Sequence, residues 1–269
     1  MKIAPKAVLA MAPVLFFASA AMAQSNTMAQ SSPTGEESEV LEKGEGGTLS
    51  LSANAMQDYA DSDKSRVSLM PGLEYRWANG VFASTERGLG YNFSKDAALQ
   101  YGVGLGLDMG RKASGPLDGM GDVDARLEYG AFMQYALDRA VQLSTALRYG
   151  SGNDRQGLVA EFGARYSRDL APLWSLGLGV GTSWANAQYM QTYFGVTDAQ
   201  AQQSKYAVYT PGAGFRDVSA NVTLSYALAP GVSLSGGVSA SSLVGDAKDS
   251  PVVSAGNRMA GSLSVRYAF

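Results

Sequence analysis

From about residue 47 to its last residue, the chain places apolar side chains at every second position, a period that only a strand with two different faces can use. Val67, Leu69, Leu73, Tyr75 and Trp77 alternate with Arg66, Ser68, Gly72, Glu74 and Arg76, and Leu99, Tyr101, Val103, Leu105 and Leu107 alternate with Gln100, Gly102, Gly104, Gly106 and Asp108. Val123, Leu127, Tyr129, Met133 and Tyr135 oppose Asp122, Asp124, Arg126, Glu128 and Gln134, and the pattern recurs at Trp174–Trp184 and Val218–Tyr226. About eleven such runs are expected, near 48–56, 65–77, 80–92, 97–108, 122–137, 140–150, 157–167, 173–185, 217–228, 231–242 and 256–269.

The same pattern serves a soluble sandwich or lipocalin-like barrel and a membrane barrel. Aromatics favour the second: Tyr75, Trp77, Tyr101, Tyr149, Trp174, Trp184, Tyr226 and Tyr267 lie on the apolar face and often near strand ends, as an interfacial girdle requires. Leu263, Val265, Tyr267 and Phe269 carry the alternation to the carboxyl end, where a soluble chain usually frays. Tyr267 and the terminal Phe269 resemble the signal read by the outer-membrane assembly machinery. Glycine, at 32 of 269 residues, exceeds the roughly 7% average, and no later segment is long and apolar enough for a membrane helix.

Short links near 93–97, 138–140, 169–172 and 228–231 alternate with longer polar ones at 109–121, 150–156, 186–216 and 243–256. Short turns belong to the periplasmic side and long loops to the outside. Eleven strands would leave the first run starting outside the cell, so one strand is missing. It lies most simply at or before residue 47; alternatively 80–93 is a misread hairpin, because Asn79-Gly80 is a tight-turn signal. The expected fold is therefore all-β, a transmembrane antiparallel up-and-down barrel of about 12 strands with 10 as the fallback.

Ahead of the barrel, Lys2 and Lys6, the apolar Ala7–Ala18 and the small residues Ala21 and Ala23 form a secretory signal with cleavage expected between Ala23 and Gln24. An uncleaved anchor is the alternative. The division expected is 1–23 signal peptide, 24–46 acidic periplasmic arm and 47–269 outer-membrane barrel. The arm carries Glu36, Glu37, Glu39, Glu42 and Glu45 against Lys43, with too few apolar residues to pack. It is either a solvated spacer or a tether gripped by a partner.

Chemistry is constrained by what is missing. The sequence has no His and no Cys, which removes the commonest general base, thiol nucleophiles and the soft metal ligands. Asp122 with Asp124, and Glu86 near Glu74, are read as lumen-wall carboxylates among Arg66, Arg76, Arg126, Arg148, Arg165, Arg258 and Arg266. No catalytic, cofactor or metal residues are expected, and a narrow lumen crossed by opposed charges is expected to be mostly plugged. Without Lys2 and Lys6, 19 of the 21 basic residues face 24 acidic ones, a net of −5 that gives no footprint for nucleic acid. Tyr189, Tyr193, Phe194, Tyr206 and Tyr209 are too many aromatics for a solvated loop; 186–216 is expected to fold back over the lumen, against the glycines at 102, 104, 106, 177, 179 and 181.

Arg87-Gly88-Leu89-Gly90-Tyr91, Tyr193-Phe194-Gly195-Val196, Tyr209-Thr210-Pro211-Gly212-Ala213-Gly214, Gly245-Asp246-Ala247 before Asp249-Ser250-Pro251-Val252, and the ending Tyr267-Ala268-Phe269 occur in this order. Together they resemble the MipA/OmpV family of outer-membrane proteins, over roughly 65–269. The resemblance implies an outer-membrane barrel without catalytic residues. One member of that family is a scaffold linking a lytic transglycosylase to a bifunctional penicillin-binding protein, and others are described as antigens or adhesins. Two functions follow: a scaffold docking murein enzymes from the periplasmic side, or a solute channel or adhesin acting through its outer loops.

Overall fold

The structure is a computed structural model and describes residues 45–57 and 65–269. Twelve strands close into one antiparallel barrel in which each strand pairs with its sequence neighbours: β1 (Gly46–Gln57), β2 (Ser65–Arg76), β3 (Val81–Ser84), β4 (Gly88–Asn92), β5 (Leu99–Asp108), β6 (Arg126–Ala136), β7 (Val141–Ser151), β8 (Gly157–Ala171), β9 (Trp174–Ala185), β10 (Gly214–Ala229), β11 (Val232–Leu243) and β12 (Asn257–Ala268). β1 pairs with β12 in the register Leu51↔Val265, and the seam is finished by Gly47 and Phe269 exchanging backbone hydrogen bonds of 2.9 Å. An even strand number puts Gly46 and Phe269 at one end, together with the short turns. Closure leaves no edge strand at the seam, which is the condition for a sheet in lipid.

The strand missing from the eleven-run reading is not at or before residue 47. The run expected at 80–92 is two short strands, because two turn signals sit inside it. Gly80 adopts φ 93° and donates to Trp77 O at 2.9 Å, closing the first turn. Ser84 Oγ then accepts from the Glu86 and Arg87 amides at 3.2 and 3.3 Å, and Gly88 continues at φ 74°, reversing the chain. A second correction concerns 122–137, where the strand begins only at Arg126. Asp122 and Asp124 therefore lie in a loop, not on a strand's inner face; Asp122 binds Lys112 at 2.7 Å and Asp124 binds Arg126 at 3.3 Å. Glu74 does line the lumen, held by Arg76 and Arg87.

Burial runs opposite to that of a soluble protein. Val103, Leu178 and Val180 are exposed on the outside, whereas Asp108, Glu128, Ser183, Arg216, Asp217, Ser225 and Ser233 are buried inside. That inversion excludes a soluble sandwich, whose apolar face would point inward. At the turn end the outward aromatics touch one another: Tyr75 with Trp77 at 4.9 Å, Tyr91 with Phe93 at 5.1 Å, Trp174 with Tyr226 at 4.7 Å, and Tyr267 with Phe269 at 5.9 Å. Tyr129, cross-strand from Tyr149, starts the opposite belt. The molecule thus carries an apolar band between two aromatic rings.

The inner wall is polar and small. Ser52 donates to Ser264 at 3.0 Å, and Ser225 meets Ser235 at 2.8 Å. Two aromatic rings break this pattern, Phe82 and Phe132, packed edge to face at 5.6 Å. They fit because Gly90 and Gly102 have no Cβ: one added at Gly90 would strike the Phe82 ring, and one at Gly102 would come within 2.7 Å of the Phe132 ring.

Candidate functional site: a capped barrel mouth

The loop between β9 and β10 covers the end opposite the turns. Asn186 starts it: its Oδ1 accepts from the Tyr189 amide at 3.0 Å and the Leu158 amide at 3.0 Å, capping helix α1 (Ala187–Phe194) and tying its origin to β8. Spacing of three and four residues puts Tyr189, Met190 and Tyr193 on the inward side of α1, where they are buried against Val123, Val159, Ala185 and Ala247. This cluster, with Phe194 and Leu243 at its margin, is an apolar core under the lid of a barrel whose strands turn most of their large apolar side chains outward.

Beneath the helix, its two tyrosine hydroxyls reach a charged layer supplied by the upper ends of β5 to β10. Tyr193 OH donates to Asp108 Oδ2 at 2.5 Å, and Asp108 Oδ1 accepts from the Gly110 amide at 2.9 Å. Tyr189 OH accepts from Arg216 Nη1 at 2.6 Å, while the same guanidinium lies 5.3 Å from the Tyr189 ring centre. Arg216 Nε binds Asp217 Oδ2 at 2.6 Å, which also accepts from Ser183 Oγ at 2.7 Å. Next to them Arg148 spans Glu128 at 2.9 Å and Glu161 at 2.8 Å. Buried polar groups are costly without partners, and the cap gives Asp108 and Arg216 one each.

The helix end is held as firmly. Arg111 Nη1 donates to the Tyr193 carbonyl at 2.8 Å, and Ser250 Oγ to the Phe194 carbonyl at 2.5 Å. The following helix α2 (Asp198–Gln203) carries a capping box between Thr197 and Gln200, and Gln200 Nε2 reaches Met120 O at 2.5 Å. Tyr206 OH donates to Pro116 O at 2.7 Å, and Tyr209 OH to Asp246 O at 2.8 Å beside the short helix α3 (Gly245–Lys248). Three loops are thereby laced into one lid. Burial raises the pKa of Tyr189, and burial followed by the bond to Asp108 raises that of Tyr193, so both phenols stay neutral. Burial lowers the pKa of Arg111, opposed by Tyr193 and Tyr206.

The five aromatics singled out from sequence therefore divide. Tyr189 and Tyr193 are buried in the mouth and Phe194 borders the same cluster, whereas Tyr206 and Tyr209 bind neighbouring loops. The loop does not descend to the glycine walls expected to receive it: Gly102 lies under Phe132, Gly179 faces Asn221, and a Cβ on Gly106 would have no heavy atom within 4 Å. Ala23, Gln24 and the arm up to Gly44 lie outside the described residues; Glu45 accepts from Tyr75 OH at 3.0 Å and Gly46 already belongs to β1. Tyr267 and Phe269 join the aromatic belt at the turn end.

Asp108, Arg111, Ser183, Arg216 and Asp217 carry the site and were not singled out from sequence as site residues. One signal was present. Arg216 breaks the alternation by placing a charge where the outward phase of β10 requires an apolar residue, and the strand bulges between Phe215 and Asp217 to turn it inward.

Two hollows flank α1. An open one of about 660 Å³ lies between the loops and is lined by Arg111, Asp122, Asp154, Gln188 and Gln191 among others. A narrow one of about 90 Å³ runs beside the cap, past Arg111, Arg216, Arg258, Tyr193 and Ser241. Among the described residues, no group of three or more carboxylates could hold a metal.

Closed sheet, apolar belt and capped mouth define a twelve-strand membrane β-barrel with an internal lid. The chain belongs to the MipA family, whose description is MltA-interacting protein MipA and which matches residues 49–269. No curated protein sequence matches it. Among solved structures it is similar to the KdgM porin (10% identity, TM-score 0.44, covering 82% of this chain and 99% of that one). It is also similar to the NanC porin (11%, 0.47, 81% and 98%) and to the outer membrane channel DcaP of Acinetobacter baumannii (10%, 0.42, 84% and 96%).

Proposed function

We propose that this protein is a non-enzymatic outer-membrane barrel that anchors murein-remodelling enzymes at the periplasmic face rather than admitting solutes freely. The observation that carries the reading is the lid: α1 fills the mouth with buried side chains and binds the rim through Asp108 and Arg216. The family's description as an MltA-interacting protein supports a protein partner, and the resemblance to the scaffold member implies its class, a lytic transglycosylase together with a penicillin-binding protein. The described turns at the opposite end are short and offer little area, against the roughly 800 Å² each partner of a specific interface usually contributes. Docking is therefore assigned to the acidic arm 24–46, whose run Glu36–Glu45 attracts a basic patch.

Cross-linking in intact cells followed by capture tests this. The full chain should retain murein enzymes, and deletion of 28–44 should abolish retention while the barrel still assembles. Capture should also weaken with salt, since exposed charges are screened beyond ~8 Å at physiological ionic strength. Undiminished capture by the truncated chain would move the contact to the turns.

A gated channel is the second reading, favoured by the hollow beside the cap with its three arginines. It predicts no steady conductance in planar bilayers for the full chain and anion-preferring conductance after removal of α1.

A further inference from the structure

The barrel wall is not of even height. β3 pairs with β2 only from Glu74 to Arg76, and β4 pairs with β5 only from Gly102 to Leu105. Above the Thr85–Arg87 turn, the wall between β2 and β5 has no strand among the described residues. Three strand spacings separate β2 from β5, so the gap is about 14 Å wide between their axes.

Backbone direction shows which groups face it. Leu73 N–H donates to Thr85 Oγ1 at 3.1 Å and Leu73 O accepts from the Thr85 amide at 2.9 Å, so Leu73 points its peptide groups towards β3. Alternation then aims those of Pro71, Leu69 and Val67 into the gap. Proline belongs at such a position, because it has no N–H to leave unpaired on an edge. On the far side, Tyr101 O accepts from Phe93 at 2.9 Å, which aims Leu107 into the gap as well. A sheet edge facing lipid is otherwise avoided in membrane proteins, because unpaired peptide groups need protein or water as partners; the cost here is confined to a few residues, one of them a proline with no N–H.

Behind the gap lies space with an aromatic floor, edged by Glu74 with its partners Arg76 and Arg87 and by Glu128 across from Gly106. Gly106 is open, and a Cβ on Gly104 or Gly130 would meet only backbone. Met70 points inward by its phase yet remains half exposed, and the edge-to-face Phe82–Phe132 pair stands below. The Arg87 guanidinium caps that pair, 4.8 Å from the Phe82 ring centre. The rim is Val67, Leu69 and Leu107, all exposed. Apolar rim, vacant glycine wall and aromatic floor suit a hydrocarbon chain.

We propose that the short β3–β4 hairpin creates a side opening through which an acyl chain of an outer-leaflet lipid enters the lumen. It rests on the membrane-barrel class alone and stands whether or not murein enzymes dock.

The absence of cysteine makes single-site labelling direct. A fluorophore on Met70→Cys of the full chain is reconstituted into vesicles containing phosphatidylcholine with a mid-chain nitroxide. Val180→Cys on the outer wall and Ser219→Cys on the far inner wall serve as references. Quenching at Met70 should approach that at Val180 and exceed that at Ser219, and Gly106→Trp should lower it at Met70 alone. Ser68→Trp fills the gap from the other side if Gly106→Trp fails to fold. Quenching no greater than at Ser219, quenching indifferent to the filling variants, or quenching only by a nitroxide fatty acid and not by the phospholipid would each overturn the proposal.

Discussion

Tyr193 donates its hydroxyl proton to Asp108, joining the middle of a loop to the top of a strand 85 residues earlier. The pair fixes the depth of the lid, because Asp108 is fully buried at the end of β5 and cannot follow a moving helix. Replacing Tyr193 by Phe removes one donor from a buried carboxylate, a loss of about 1–3 kcal/mol. That loss falls on the lid, not on the sheet. Limited proteolysis should cut 187–203 faster in Tyr193→Phe while the barrel keeps its thermal transition.

Alkali should release the same lid. Both Tyr189 and Tyr193 have folded-state pKa values raised above the ordinary tyrosine value of about 10, by burial first. A raised pKa means the neutral phenol is favoured on folding, so the stability is fully present below pH 10 and declines above it. Absorbance at the tyrosinate band should show Tyr189 and Tyr193 among the phenols that titrate late, together with accelerated cleavage of 187–203. In Tyr189→Phe/Tyr193→Phe the late component should shrink by two phenols, and the lid should be loose at every pH.

Wall geometry sharpens the contrast between faces. Arg at Val103 or Leu178 points into lipid and should cost roughly 2–4 kcal/mol near the midplane. Inward glycines are not equivalent substitutes: a Cβ at Gly104 meets Leu89 O at 3.2 Å, whereas Gly106 has open space. Gly106→Arg should therefore fold with near-normal denaturant resistance, Gly104→Arg less well, and Val103→Arg worst.

Acid should loosen the loop beside the cap. The Lys112 bond and then the Ala113 amide lower the Asp122 pKa below 3.8, so this contribution is present above that value and lost as pH falls through the folded one. The pair is exposed, so the effect is confined to the loop. The protection of the Ala113 amide, taken relative to its intrinsic exchange rate at each pH, should fall in acid, and Asp122→Asn should show that lower protection already at neutral pH.

Long strands were legible because lipid imposes a period of two on every residue between the aromatic belts. Leu99–Asp108 and Trp174–Ala185 are read from sequence within a residue or two of their observed limits. β3 and β4 were hidden because four and five residues give too few alternations to separate two strands from one. The aromatic wealth of 186–216 marked a packed loop, but its partners could not be read from it: Asp108 and Arg216 sit on different strands and meet it only through closure of the barrel. The bulge at Arg216 was visible as a charge out of phase, a signal that needs the strand's register before it has meaning.

Phe269 offers a separation between folding and delivery. Its backbone closes the seam with Gly47 through two bonds of 2.9 Å, and these survive any side-chain change. Its ring is half exposed and, among the rings of the described residues, meets Tyr267 at 5.9 Å and Tyr75 at 6.4 Å, contacts worth about 0.5–1.5 kcal/mol each at most. Phe269→Ala should consequently refold from urea into detergent micelles almost as completely as the natural chain. If the terminal aromatic is what the assembly machinery grips, the same variant should reach the outer membrane of living cells in much lower yield. Equal losses in both settings would make Phe269 a structural residue of the girdle and remove its role in delivery.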